Sequence, residues 1–253
     1  MRLLVINPNI SEDVTALIGE EARRSAAPDT QIELATAPFG VAYIETRFEA
    51  LVGAYAAAQV AAERFDNHEA VVIAAFGDPG VAGIRELLPV PVIGLTEAAL
   101  ASACLLGQRF SIITISQRIQ AWYRDVVHAY GLTGRLASMR GLERPLGSVA
   151  AVQQEHRDRL LELCDQAVRE DGADVIVLAG APLAGLARGL RSRIAVPVVD
   201  GVSSAILHAQ GLAAMQPGGA SAGSFAPPPA KPNRGLPEAI ARLLRQQPTD
   251  RKE

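Results

Sequence analysis

The apolar residues of this chain fall into short solid runs separated by helical patterns, and those runs define its elements. Arg2 to Ile6 reads as a short apolar strand of the kind covered by helices on both faces, and Asn7-Pro8-Asn9 breaks it. Ser11 can cap the helix that follows, Glu12 and Asp13 favour its positive end, and Val14, Leu17, Ile18 and Ala22 fall on one of its faces. The alternation continues with a strand over Gln31 to Ala35, a Pro38-Phe39-Gly40 turn and an alanine-rich helix from Phe48 to Ala62, closed by Asp66-Asn67-His68. A strand from Ala70 to Ala74, a turn at Gly77 to Gly80, a helix from Val81 to Leu87 and a strand from Val90 to Ile93 come next.

The chain then repeats itself. The segment 70–100, AVVIAAFGDPGVAGIRELLPVPVIGLTEAAL, returns in outline over 173–207, and RLLVINPN at 2–9 lines up with RFSIITIS at 109–116. The offset is 107 there, 105 between Ala75 and Gly180, and 106 between Pro91 and Pro197, so one register survives small loop changes. Second-copy strands are expected near Phe110 to Thr114, around Leu136 to Met139, Asp174 to Leu178 and Val196 to Val199. Repeats this long describe two lobes rather than a solenoid, and strands alternating with helices pair in parallel.

The expected fold is therefore α/β: two similar lobes, each a four-stranded parallel sheet flanked by helices, with the active cleft between them. Residues 1–97 with about 205–253 form the first expected lobe and 98–204 the second. Gln216 to Pro232 reads as a long loop without packing residues of its own, Leu236 to Leu244 as a final helix, and the polar end from Gln246 as frayed.

Composition narrows the function. With 253 residues, 49% of them hydrophobic, the chain can bury a substantial core, and its 4% aromatic content suits close helix-on-sheet packing. A formal charge of -3 without any basic run argues against nucleic acid as a partner. Cys104 and Cys164 sit in helical patterns where a buried small hydrophobe is the usual role; they make neither a disulfide framework nor a metal cluster, and a reducing cytoplasm fits. The apolar run LLVI is too short for a signal-peptide core, and AALASACLLG falls short of a span of about 18 to 20 residues, so no membrane is expected.

Ligands of such sheets lie beyond the carboxyl ends of the strands. Those ends hold Asn7, Pro8, Asn9, Phe76, Gly77, Asp78, Thr114, Ser116, Gly180, Ala181, Pro182 and Asp200. Asn7 with Asn9 and Thr114 with Ser116 are equivalent polar pairs suited to a carboxylate or an imide, or else helix caps. Backbone N–H groups after Gly77 to Gly80 and Gly180 to Ala181 would add donors for an anion. Asp78 is the acid in the two opposed turns and so the candidate base, although Asp-Pro-Gly is also ordinary turn chemistry. Glu97 and Asp200 read as bracing groups, and Trp122-Tyr123 as a pocket wall or a helix-packing pair. His68, His128, His156 and His208 read as solvated or packed, with no metal partner, and the chain has no GxGxxG or P-loop motif.

INPN, FGDPG, PVIGLTEAA, LAGAPLAGLA and PVVDGV follow one another in order. With them the chain resembles the aspartate/glutamate/hydantoin racemase superfamily, most closely its hydantoin and allantoin racemase branch, from Arg2 to about Leu244. The resemblance implies two cysteines facing each other across the cleft, one removing the proton at the chiral carbon and the other returning one from the opposite face. The implied positions carry Ala75 and Gly180, which transfer no proton; Cys104 lies 29 residues past the first and Cys164 lies 16 before the second, so neither is a register slip. Substrate contacts from the YIETRF loop are implied as well, at Ile44, Glu45 and Arg47, the last able to pair a carboxylate.

The resulting expectation is an isomerase of the racemase superfamily acting on a small hydantoin-like cyclic imide or α-substituted carboxylic acid. It would transfer protons without a cofactor, without a metal and without the two-cysteine mechanism. Two alternatives remain open: a lyase, decarboxylase or hydrolase in which Asp78 works on one face, and a small-anion binding protein that kept the cleft and lost turnover. The expected partner is a small anionic or imide substrate, with no nucleic acid and no membrane, for a cytoplasmic homo-oligomer.

Overall fold

Every strand pairing in the computed structural model is parallel; residues 1–143, 151–216 and 218–245 are described. The first half runs β1 (Arg2–Asn7), α1 (Glu12–Ser25), β2 (Gln31–Thr36), α2 (Arg47–Arg64), β3 (Ala70–Ile73), α3 (Val81–Leu87), β4 (Val92–Gly94) and α4 (Leu95–Leu106). The second runs β5 (Phe110–Thr114), α5 (Gln120–Ala129), β6 (Leu136–Gly141), α6 (Val152–Glu155), α7 (Arg157–Arg169), β7 (Val175–Leu178), α8 (Leu186–Leu190), β8 (Val198–Asp200), α9 (Gly201–Met215) and α10 (Glu238–Arg245). The sheets have the orders β2-β1-β3-β4 and β6-β5-β7-β8, so the repeat in sequence is a repeat in topology.

The solid apolar runs are explained by two buried faces. Successive strand residues point to opposite sides. In β1, Leu4 and Ile6 face an outer core with α2, α3 and α10, whereas Leu3 and Val5 face inward. In β7, Ile176 and Leu178 face an outer core with α7 and α8, whereas Val175 and Val177 face the same inner core as Leu3 and Val5. That inner core takes in α1, α4, α5 and α9 and is continuous from one sheet to the other. α4 packs on β4, β7 and β8, and α9 on β3, β4 and β8. The expected division at residue 97 therefore falls inside a helix that both sheets share.

Local departures have local causes. β4 and β8 begin at Val92 and Val198, two residues later than the apolar runs suggest. Each is preceded by a proline, Pro91 or Pro197, which has no N–H for a ladder, although their carbonyls accept from Val71 and Ile176. In the loop expected to lack packing residues, Phe225 lies beneath the Arg85 guanidinium, 5.8 Å from ring centroid to Cζ. The polar end from Gln246 lies outside the described residues. Among those described, no helix is long and apolar enough to cross a membrane.

Candidate active site

β3 and β7 end alike. Ala74 N–H donates to the Ile6 carbonyl at 2.7 Å and Ala179 N–H to that of Ile113 at 2.9 Å, which delivers Ala75 and Gly180 at the carboxyl ends of the two sheets. The two turns meet. Ala75 and Phe76 from one, and Gly180, Ala181 and Pro182 from the other, line a single cavity together with Asn9, Tyr43, Ile44, Ala74 and Tyr123. Its volume is about 20 Å3, room for roughly one water. The Phe76 and Tyr123 rings on its wall lie 4.8 Å apart between centroids, and Trp122 packs on Tyr123 at 5.4 Å. No charged side chain is among those lining residues.

The polar groups at the cavity are hydrogen-bond donors. Asn9 Oδ1 accepts from Asn7 Nδ2 at 3.0 Å and from Ser11 N–H at 2.9 Å, which fixes the carboxamide and leaves its Nδ2 uncommitted among the described residues. Tyr43 Oη is buried with no hydrogen-bond partner among the described residues. Burial first, then the charges of Glu45 and Glu49, holds the Tyr43 phenol far above its ordinary pKa, so it stays protonated. Burial likewise raises Tyr123, with Tyr43, Asp78 and Glu45 adding to it. The sequence signalled Tyr123 beside Trp122 but gave no sign of Tyr43, one residue before the implied contact Ile44.

Residues 3–209 match the family model described as Asp/Glu/Hydantoin racemase. The chain belongs to the Asp/Glu/hydantoin racemase family. A hydantoin racemase of Paenarthrobacter aurescens is 37% identical over 235 residues, 91% of this chain and 99% of that protein. The allantoin racemase from Klebsiella pneumoniae superposes with a TM-score of 0.89 at 35% identity, covering 95% of this chain and 98% of its own. The allantoin racemase from Pseudomonas fluorescens gives 0.83 at 34%, covering 93% and 100%. At the level of reaction class, this racemase-family chain is an isomerase.

Several residues expected at the racemase-family site are turned elsewhere. Asn7 Nδ2 donates to Asn9 Oδ1, the Ser11 carbonyl and Thr15 Oγ1, so it ties β1 to the start of α1. Thr114 Oγ1 donates to the Ser116 carbonyl at 2.7 Å, and Ser116 Oγ donates to Glu45. Arg47 pairs with Asp125, its Nε 2.8 Å from Oδ2, and its side chain is 60% exposed. Pro8 does not reach the cavity lining; its carbonyl lies against Gly53 of α2. Gly77 sits beneath Trp122, and its N–H donates to Thr96 Oγ1 at 2.6 Å. Part of the expected anion cradle is used by the turns themselves: Asp78 N–H goes to the Ala75 carbonyl, Leu183 N–H to that of Gly180 and Ala184 N–H to that of Ala181.

Asp78, the expected base, also faces away from the cavity. Its carboxylate accepts from Thr96 N–H and Glu97 N–H at 2.8 Å each and from the Tyr130 hydroxyl at 2.7 Å, which makes it the anion at the N-terminus of α4. Burial pushes its pKa up to about 6, opposed by those three hydrogen bonds. Asp200 caps α9, accepting Ser203 N–H and Oγ–H at 2.9 Å each, and Glu97 accepts from Gly94 N–H at 3.0 Å while pairing with Arg85. The second turn differs from the first in its backbone: Gly180 has φ +110°, a conformation open to glycine.

Proposed function

We propose that this chain moves the proton at the chiral carbon of a small hydantoin-like cyclic imide or α-substituted carboxylic acid, with no cofactor and no thiol pair. The convergence of Ala75 and Gly180 in one cavity at the carboxyl ends of both sheets carries this reading. The hydantoin and allantoin racemases to which the chain is similar over most of its length support the substrate class. A methyl group and a glycine hydrogen exchange no proton, so the proton leaves to, and is replaced from, water that reaches the cavity. A lining without charge favours the neutral imide over the carboxylate.

Proton NMR in heavy water, run with chiral hydantoins, allantoin and amino acids, tests the proposal. It predicts deuterium at the chiral carbon with inversion of configuration. Deuterium with retention, ring opening or loss of carbon dioxide would instead put the chemistry on one face, and saturable binding without turnover would make the chain a binding protein.

A further inference from the structure

We propose that the Tyr43 hydroxyl donates a hydrogen bond to the carbonyl oxygen beside the reacting carbon of the bound ligand, an inference that rests on the site and substrate class proposed above. A buried hydroxyl without a partner is a costly feature in a folded chain, and this one belongs to a residue that lines the cavity where the two turns meet. The acids near it are already engaged. Glu45 accepts from Ser116 Oγ, and Glu49 Oε2 accepts the N–H groups of Glu45 and Thr46 at 2.8 Å each. The same contacts fix the loop: Thr46 caps α2 and Glu49 closes the capping box, so Tyr43 is presented from an anchored segment.

The hydroxyl acts as a donor. Burial and the neighbouring carboxylates oppose its ionisation, so it cannot serve as the base that takes the proton. Asn9 Nδ2 is a second donor at the same cavity, with its orientation locked from behind by Asn7 and Ser11. Two preorganised donors and no lining charge suit a carbonyl oxygen, which accepts only. A donor placed there stabilises the negative charge that grows on oxygen as the adjacent C–H bond loosens.

Calorimetric titration of wild type and Tyr43→Phe with two probes tests this: 5-benzylhydantoin and 4-benzyl-2-imidazolidinone, which lacks the carbonyl beside the substituted carbon. The wild type should bind the hydantoin about tenfold more tightly, equivalent to roughly 1.4 kcal/mol, and Tyr43→Phe should abolish that preference. Deuterium exchange at the chiral carbon should fall about 10²-fold in the variant. Its melting temperature should not fall, because the deleted hydroxyl has no partner among the described residues. A wild type that exchanges with a Tyr43→Phe variant that exchanges equally well overturns this inference and leaves the proposed function standing. A variant that keeps the preference, or one that loses stability, also overturns it. A wild type that binds neither probe overturns both readings.

Discussion

Asp78 lies directly over Gly94: a Cβ built on Gly94 would be 2.3 Å from Asp78 Cγ. Gly94 pairs with Ile73 and Asp200 with Leu178, so the two occupy equivalent places in the two lobes. In the second lobe Asp200 caps α9 with its own side chain. In the first lobe that side chain is missing, and Asp78 reaches across from the neighbouring turn to serve α4 instead. Gly94→Ala should therefore destabilise the chain by about 1–3 kcal/mol, the usual range for overpacking, read as a lower urea midpoint at unchanged slope.

The pH dependence of stability follows from the same carboxylate. Burial raises Asp78 to about 6 in the folded chain, above an unfolded value of roughly 3.9. The native state thus binds more protons than the unfolded state between these values, and Asp78's contribution to stability declines as pH rises through that window. Asp78→Asn removes this titration, while Asp200, also raised chiefly by burial, remains in both proteins. Urea denaturation should show the wild type's margin over Asp78→Asn to be larger near pH 4.5 than at pH 7. A margin that grows with pH would refute the assignment.

Restoring thiols should be asymmetric. Ala75 has an ordinary backbone, so Ala75→Cys should fold with little change in stability. Gly180 has φ +110°, and although among the described residues only Pro182 Cδ at 3.5 Å would face a Cβ there, Gly180→Cys should destabilise by about 1–3 kcal/mol from backbone strain. Comparing thermal midpoints of the two single variants checks this. Equal midpoints would show that the second turn rearranges freely.

Besides Arg47–Asp125, a second ion pair joins the lobes outside the cavity. Arg188 on α8 donates through Nε to Glu21 Oε1 at 2.9 Å and through Nη2 to Ser25 Oγ at 2.9 Å, and the Glu21 side chain is 2% exposed. Arg188→Met should destabilise by about 2 kcal/mol, less than for a fully buried pair because the Arg188 side chain is 40% exposed. Glu21→Gln, which leaves no buried charge, should destabilise less. Chemical denaturation of the two variants gives the comparison directly.

The fold was largely legible because a strand buried on both faces has to be apolar throughout, and the repeat supplied the pairing of the halves. That Ala75 and Gly180 would meet followed from the same symmetry. The facing of individual polar side chains did not. Asn7 and Thr114 sit at strand ends whose nearby backbone and side-chain groups also need partners, and they serve those. The direction of Asp78 was decided by the absent side chain at Gly94, a contact between separate elements. Tyr43 lies in the loop before α2, where no repeated motif marks it.

The central claim is proton transfer in the inter-lobe cavity without thiols. Cys164 is fully buried in α7, where burial pushes its thiol up to about 12, and Cys104 is half-buried on α4; neither lines the cavity. The most direct measurement is deuterium incorporation and inversion at the chiral carbon of 5-benzylhydantoin by Cys104→Ser/Cys164→Ala beside the wild type. The account predicts incorporation with inversion at the same rate in both. Loss of turnover in a folded cysteine-free chain would contradict it and return the chemistry to a thiol.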